Sequence, residues 1–136
     1  MAKAVSQAIK DILKIYEMEP KEALWDCHGT WVMYHKSIEL VAAKAGINTT
    51  FKQVLHSDGT SVAILVTGDN GDRVEWTVGE AAPKNNKNAY PWAMAEKRAK
   101  DRVILKLVGL AGHVYSEDDI ADKTSETPFE VDPWDE

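Results

Sequence analysis

The sequence predicts an α+β fold in which a three-stranded antiparallel meander packs with helices and an acidic C-terminal tail follows. The dipeptides Asp58-Gly59 and Asn70-Gly71 separate three runs of β-branched and apolar residues, which is the strongest local signal for hairpins. A long helical pattern then begins at Pro91, because proline suits the first turn of a helix. The expected order is helix, short strand or turn, helix, three-stranded meander, loop and basic helix.

The first 46 residues favour two helices with a short extended segment between them. Residues 4–17 form an amphipathic pattern that ends before Pro20. Residues 23–29 favour a short strand or an extended lead into the second helix, which we expect to begin after Thr30 as N-cap and to stop at Gly46. The apolar positions of the two helices are Val5, Ala8, Ile9, Ile12, Leu13 and Tyr16, then Trp31, Tyr34, Ile38, Val41 and Ala45.

The second and third strands of the meander differ in their expected burial. Residues 62–66 are apolar at every position, which suits a central strand. In the third strand Val74, Trp76 and Val78 alternate with polar residues. We therefore expect these three side chains to face the core and the polar ones to face water.

The last helix is expected to lie close to the sheet. It follows a polar loop over residues 83–90, and Gly109 and Gly112 offer stops. Two positions of its apolar stripe are the small residues Ala95 and Ala99, which permit a close approach. Its C-terminal half is apolar nearly all round, so the chain itself or a neighbouring subunit should cover it on more than one side. The stripe comprises Trp92, Ala95, Ala99, Val103, Leu107 and Leu110.

Basic residues form a line along this helix. Arg98, Arg102 and Lys106 are spaced at i, i+4 and i+8, and neither Arg102 nor Lys106 has an acidic residue three or four positions away. Such a line is either a solvated basic edge or a contact for a phosphate backbone. Both interpretations remain open from the pattern alone.

Acidic residues concentrate at the C-terminus of this 136-residue chain, whose formal net charge is −6. Residues 116–136 hold nine acids and one base, whereas residues 1–115 hold 15 bases and 13 acids. The sequence therefore predicts one domain over residues 1–115 and a flexible acidic tail over 116–136. The tail either solvates the protein or acts as a peptide that docks on a partner or shields the basic surface of its own chain, with Phe129, Val131 and Trp134 set among its acids.

Residue types that support catalysis or metal binding are scattered. The single cysteine, Cys27, has no Cys-x-x-Cys partner, and no two histidines have metal-ligand spacing. Asp118 and Asp119 are adjacent but lie in the predicted tail without convergent partners, and no glycine-rich phosphate loop is present. We expect no catalytic residues, no metal site and no cofactor. The histidines considered as ligands are His28, His35 and His56.

The chain carries no sign of export or membrane insertion. No apolar run approaches the length of a membrane span, and no charged-then-apolar leader opens the sequence. A single cysteine excludes an internal disulfide. These features predict a cytoplasmic protein without a membrane partner.

The segment AEKRAKDRVILKLVGLAG, residues 95–112, followed by SEDD, residues 116–119, resembles the single-strand annealing proteins of phages. This superfamily includes the essential-recombination-function, RecT and Red-beta proteins and the eukaryotic mediator Rad-fifty-two. The earlier segment WDCHGTWVMYHKSIELVAAKAGI, residues 25–47, stands where that family has a short strand, a turn and a helix before its hairpins. The resemblance covers about residues 4–116.

The resemblance implies a β-β-β-α core that assembles into rings or helical filaments and binds single-stranded DNA along a basic groove. Annealing of complementary strands would then need no nucleotide cofactor, and the protein would not be an enzyme. Tyr90 and Trp92 are candidates for base stacking, although for Trp92 a place in the core or at a subunit interface is favoured. The DNA-contact candidates carried over are Lys97, Arg98, Arg102 and Lys106, with Lys84, Lys87 and Arg73 as weaker additions.

Other functions stay open at this point. A single-stranded-DNA-binding accessory protein of replication would bind DNA without accelerating annealing, and its acidic tail would recruit a host or phage replication or recombination protein. A metal-dependent nucleic-acid enzyme would need a bound metal at His28 or His35. A protein-binding adaptor would bind no DNA through Arg98 and Arg102.

Overall fold

A computed structural model of the chain describes residues 4–86 and 89–120. Two sheets and four helices make up this part of the molecule, and a short 3-10 turn closes it. The elements are α1 (Gln7–Ile15), α2 (Pro20–Ala23), β1 (Leu24–Cys27), β2 (Thr30–Met33), α3 (His35–Ala45), β3 (Asn48–Ser57), β4 (Val62–Asp69), β5 (Val74–Ala81), α4 (Pro91–Val108), β6 (Tyr115–Ser116) and the 3-10 turn (Glu117–Asp119).

The predicted α+β fold and its antiparallel meander are confirmed. β3, β4 and β5 form a sheet in that order, so β4 is the central strand, as its apolar sequence predicts. Gly59 and Gly71 lie in the two connections and both adopt positive φ angles, which glycine adopts without steric cost. Side chains of β4 alternate between the buried face under α4 and a half-buried face on the other side.

Helix α4 packs closely on β4 and β5, and small residues permit this approach. Ala95 and Ala99 are fully buried, as predicted from their place in the apolar stripe. They lie over Gly79 of β5: a Cβ atom added to Gly79 would overlap the Ala95 carbonyl oxygen and lie 2.7 Å from Ala99 Cβ. The hydroxyl of Thr77 also donates a 2.6 Å hydrogen bond to the Ala99 carbonyl.

The predicted burial of β5 is wrong. Thr77, Gly79 and Ala81 face α4 and are buried, whereas Val74 and Trp76 are exposed on the opposite face of the sheet. The physical reason is the close approach of α4, which selects small side chains on the strand beneath it and excludes a tryptophan. Alternation alone marks two faces but does not say which one the helix covers.

A second small sheet corrects the expectation for residues 30–33. These residues form β2, which pairs antiparallel with β1 and parallel with β6. Helix α3 therefore begins at His35, with Tyr34 rather than Thr30 in the N-cap position. The strand alternative for residues 23–29 is confirmed by β1, and Gly46 ends α3 in a left-handed conformation, as expected.

The C-terminal half of α4 is covered by its own chain. Ile104, Leu105 and Leu107 are buried, and α3, β6 and the 3-10 turn contact this helix. Residues 116–119 therefore belong to the folded domain and not to a flexible tail that begins at residue 116, because β6 and the 3-10 turn include them. The rest of the predicted tail, residues 121–136, lies outside the described residues.

Strand β3 forms an outer edge of the large sheet. Its side chains are exposed along nearly its whole length, since α4 packs on β4 and β5. Its register against β4 shifts near Lys52 and Leu55. Exposed apolar residues on β3 and on the far face of the sheet are Phe51, Val54, Leu55, Val74 and Trp76. Of the helices in the described ranges, none combines the length and apolar character that a membrane span requires.

Replacing Gly79 by alanine should destabilise the protein strongly. The added Cβ meets backbone atoms of α4 rather than a flexible side chain, so the helix must shift. We expect a loss of about 1–3 kcal/mol or more in the free energy of unfolding, measured by chemical denaturation. Ala63→Val, which adds bulk on the far face of β4, is the control and should change stability little. Equal stability of Gly79→Ala and the wild type would contradict the close packing.

Candidate functional site

The three residues of the basic line on α4 all bind the free edge of β5. Arg98 Nη1 donates to the carbonyl of Glu80 at 2.8 Å. Arg102 Nη1 donates to the carbonyl of Val78 at 2.6 Å. Lys106 Nζ donates to the carbonyl of Trp76 at 2.7 Å. The line therefore finds its acceptors within the same chain.

The match between helix and strand follows from their geometry. Residues four apart in a helix are about 6 Å apart along its axis, and residues two apart in a strand are separated by about 6.6 Å. When the two elements run in opposite directions, side chains at helix positions i, i+4 and i+8 can therefore reach the carbonyls of strand residues j, j−2 and j−4. An exposed strand edge is open to pairing with another chain, and this row of charged side chains covers it.

Arg98 is a structural residue. Its side chain is buried, with 3% of the residue exposed. In addition to Glu80 it donates to the carbonyl of Asp118 at 2.6 Å and to the carbonyl of Asn85 at 2.7 Å. Burial lowers the pKa of its guanidinium, and the repulsion of Arg102 acts in the same direction. The prediction that Arg98 contacts DNA conflicts with this burial.

Arg102 and Lys106 have acidic partners that the local sequence does not reveal. Arg102 donates to Glu80 at 2.7 Å and to Asp119 at 2.7 Å. Burial opposes ionisation of Arg102, but the hydrogen bonds and charges of Asp119 and Glu80 outweigh it and raise its pKa. Lys106 lies 5.2 Å above the ring of Trp76 and 3.9 Å from Glu75. These residues form an internal clamp between α4 and β5 and not an open basic groove.

The other four DNA-contact candidates are dispersed. Arg73 is exposed but pairs with Glu75 at 2.7 Å. Lys84 and Lys97 are exposed, and Lys87 lies outside the described residues. Of the seven candidates, Lys84 and Lys97 are thus the exposed residues that form no ion pair within the described part of the chain.

Two aromatic residues at the start of α4 are exposed. Tyr90 is 69% exposed and Trp92 is 50% exposed. The expected place of Trp92 in the core is therefore wrong, whereas its place at a subunit interface stays a prediction. Exposed Lys97 lies on the same half of the helix, and Lys84 lies in the loop that precedes it.

A buried acid–histidine cluster lies on the other side of α4. His35 Nδ1 is 2.9 Å from both carboxylate oxygens of Asp101 and 3.1 Å from Asp118 Oδ2. The hydroxyl of Ser116 donates to Asp101 at 2.7 Å, and the backbone N–H of His35 donates to Glu117 at 2.9 Å. The cluster joins the first turn of α3, the middle of α4 and the segment after β6.

Burial and charge perturb both members of the central pair. Burial raises the pKa of Asp101 to about 7, although its hydrogen bonds with His35 and Ser116 oppose this shift. Burial pulls the pKa of His35 down, but the hydrogen bond and charge of Asp101, with the charges of Asp118 and Glu39, raise it overall. The pair therefore holds its protons more tightly than the same groups in an unfolded chain.

The expectation that no acids and histidines converge is corrected by this cluster. His35, Asp101 and Asp118 are the group within the described ranges that brings three potential metal ligands together. Of the other candidate ligands, Cys27 and His28 lie at the end of β1. His56 lies near the end of β3 and pairs with Asp58, which follows that strand. One feature of the sequence indicates this cluster. Asp101 is an acidic residue close to Ile104 and Leu105, in the half of α4 where burial is expected.

The chain was compared with known proteins in three ways, and it matches no protein-family model, no curated protein and no solved structure. The resemblance to annealing proteins therefore stays a prediction.

Arg98 and Lys97 are adjacent, but replacement by methionine should destabilise the protein only at Arg98. Arg98→Met leaves three carbonyl oxygens without their donor inside the fold, so we expect a loss of about 3 kcal/mol or more in the free energy of unfolding. Lys97→Met removes the same charge from an exposed position and should change stability by less than about 0.5 kcal/mol. Urea denaturation of both variants tests this. Similar stabilities for the two would refute the clamp.

Proposed function

We propose that this protein binds single-stranded DNA, assembles into an oligomer and promotes annealing of complementary strands without a nucleotide cofactor. The DNA-contacting surface that we assign is the N-terminal half of α4 with the loop before it, and not the line of Arg98, Arg102 and Lys106. The observation that carries this assignment is the pair of exposed aromatic residues, Tyr90 and Trp92, in a segment that also carries exposed lysines.

Exposed aromatic rings in a segment that also carries exposed lysines fit the chemistry of single strands. Unpaired bases offer flat faces that stack on aromatic side chains, whatever the base. Lysines attract the phosphates and make binding dependent on salt. Tyr90 and Trp92 supply the rings, and Lys84 and Lys97 supply the charges. A binding mode of this type is independent of sequence, which annealing requires.

The small number of free lysines makes self-association part of the proposal. Two exposed lysines in one subunit neutralise few phosphates, whereas a row of subunits repeats the same contact along one strand. Exposed apolar residues on β3, namely Phe51, Val54 and Leu55, offer a surface for association. The opposite edge of the sheet is occupied by the α4 clamp, so association through β3 leaves the clamp intact.

Annealing by such an assembly needs no chemical step. When lysines hold the phosphates of an extended strand and aromatic side chains stack on some of its bases, the edges of its unpaired bases are open to a second strand. Pairing of the two strands supplies the free energy. The protein accelerates the search for complementarity by holding one strand unfolded.

Trp92→Ala should weaken binding of single-stranded oligonucleotide. Loss of one stacking contact costs about 1–3 kcal/mol, which corresponds to roughly a 5- to 150-fold higher Kd in fluorescence anisotropy. Lys97→Ala should reduce the slope of log K against log salt by about 0.7.

Tyr115→Ala is the matched control for this experiment, because Tyr115 is 56% exposed and lies in β6, away from the start of α4. It should bind oligonucleotide like the wild type. Equal losses for Trp92→Ala and Tyr115→Ala would contradict the assigned surface, and unchanged binding in Trp92→Ala would do so as well.

Replacement of Phe51 and Leu55 together by lysine should reduce self-association. Both side chains are exposed on the outer strand, so we expect the fold to persist while the assembly dissociates. Size-exclusion chromatography with light scattering measures the mass of wild type and variant. A wild type that remains monomeric with and without oligonucleotide would remove the basis for the annealing proposal.

The decisive functional experiment follows the pairing of two complementary fluorescent oligonucleotides with and without protein. Acceleration that is lost in Trp92→Ala supports annealing. Tight binding without acceleration would favour a single-stranded-DNA-binding accessory protein instead.

A further inference from the structure

The buried cluster of His35, Asp101 and Asp118 has the composition of a metal site. His35 Nδ1 and one oxygen from each carboxylate lie within 4.8 Å of one another. Asp101 is fully buried and Asp118 is 5% exposed, so two carboxylates occupy the interior of the fold. Buried carboxylates are costly unless hydrogen bonds or a cation compensate them.

Hydrogen bonding leaves one of these oxygens without a donor. The ring nitrogen His35 Nδ1 carries at most one proton, and both oxygens of Asp101 lie 2.9 Å from it. Asp118 Oδ2 lies 3.1 Å from the same nitrogen, yet it is buried and accepts no hydrogen bond within the described residues. An oxygen of this kind needs an explanation, since buried polar atoms are nearly always partnered. A cation between the three side chains would provide one.

Surrounding contacts orient the three side chains. His35 Nε2 lies 3.1 Å from Glu39 Oε2, which directs the ring so that Nδ1 points at the cluster. Ser116 Oγ donates to Asp101 Oδ2, and the backbone N–H of Asp118 donates to the same hydroxyl at 3.0 Å. Metal sites show this arrangement: the ligating histidine donates its other N–H to a carboxylate, and ligating carboxylates are themselves hydrogen-bonded.

We propose that His35, Asp101 and Asp118 bind one divalent transition-metal ion, with Zn²⁺ preferred, as a structural site. One imidazole nitrogen and two carboxylate oxygens suit Zn²⁺, whereas Mg²⁺ and Ca²⁺ favour oxygen ligands throughout. The two carboxylates balance the charge of the ion. Binding replaces the proton on His35 Nδ1, which is released to solvent.

Solvent has access to the cluster. A cavity of about 470 Å³ between α3 and α4 is lined by His35 and Asp101 together with Glu39, Lys97 and Lys100. It gives an ion a path to the site, and a water molecule in it can complete four-coordination. The bound ion would connect α3, α4 and the segment that follows β6, which are distant in the sequence.

Purified protein, treated with EDTA and dialysed, should take up one Zn²⁺ per chain in isothermal titration calorimetry and gain thermal stability in its presence. His35→Gln and Asp118→Asn should each weaken Zn²⁺ binding by more than about 10-fold. His56→Gln is the matched control, because His56 also lies beside a carboxylate, Asp58 at 3.2 Å, but on the exposed surface. It should bind Zn²⁺ like the wild type. Mg²⁺ at the same concentration should give no comparable stabilisation.

A measurement on the unaltered protein guards against variants that fail to fold. In ¹⁵N NMR the Nδ1 resonance of His35 should shift on addition of one equivalent of Zn²⁺, and that of His56 should not. Absence of Zn²⁺ uptake by the wild type would overturn the proposal, and so would uptake by both cluster variants equal to that of the wild type. The inference does not depend on DNA binding, so either proposal can fail without the other.

Discussion

The contact between the basic face of α4 and the free edge of β5 is the constraint on which the rest of the structure depends. Arg98, Arg102 and Lys106 donate to three successive outward carbonyls of the strand. This row sets the position of the helix along the sheet, and the small residues Gly79 and Ala99 set its distance. Together they close one edge of the sheet and place the apolar stripe of α4 over the central strand.

The same contact organises the acidic segment that follows β6. Asp119 pairs with Arg102, and the carbonyl of Asp118 accepts from Arg98. These bonds hold the 3-10 turn against α4, and they bring the Asp118 carboxylate beside His35 and Asp101. The clamp and the buried cluster are therefore coupled through one short segment. The clamp uses three cations of α4, so the surface proposed for single-stranded DNA is the start of the helix, where Tyr90 and Trp92 are exposed.

The errors of sequence interpretation have a common origin. Arg102 has no acid within four residues, but Glu80 and Asp119 reach it from 22 and 17 positions away. In the sequence Asp118 resembles part of a solvated tail. It is buried in the structure because its carbonyl accepts a hydrogen bond from the buried Arg98. Likewise Trp76 belongs to the apolar set of the alternating pattern in β5, which predicts a core position. The close approach of α4 leaves no space for a tryptophan between helix and strand, and Trp76 is exposed on the other face. In each case a partner distant in the chain decided the environment.

The sequence by itself determined the fold class, the two hairpin connections, the central place of β4 and the close packing of α4 through Ala95 and Ala99. These features follow from local propensities and periodicity, which depend on neighbouring residues alone. Only the tertiary structure decided which face of β5 is buried, where the charges of α4 are neutralised and which side chains meet His35. Those outcomes depend on the pairing of α4 with β5 and with the segment after β6, and no local pattern encodes the distance between elements.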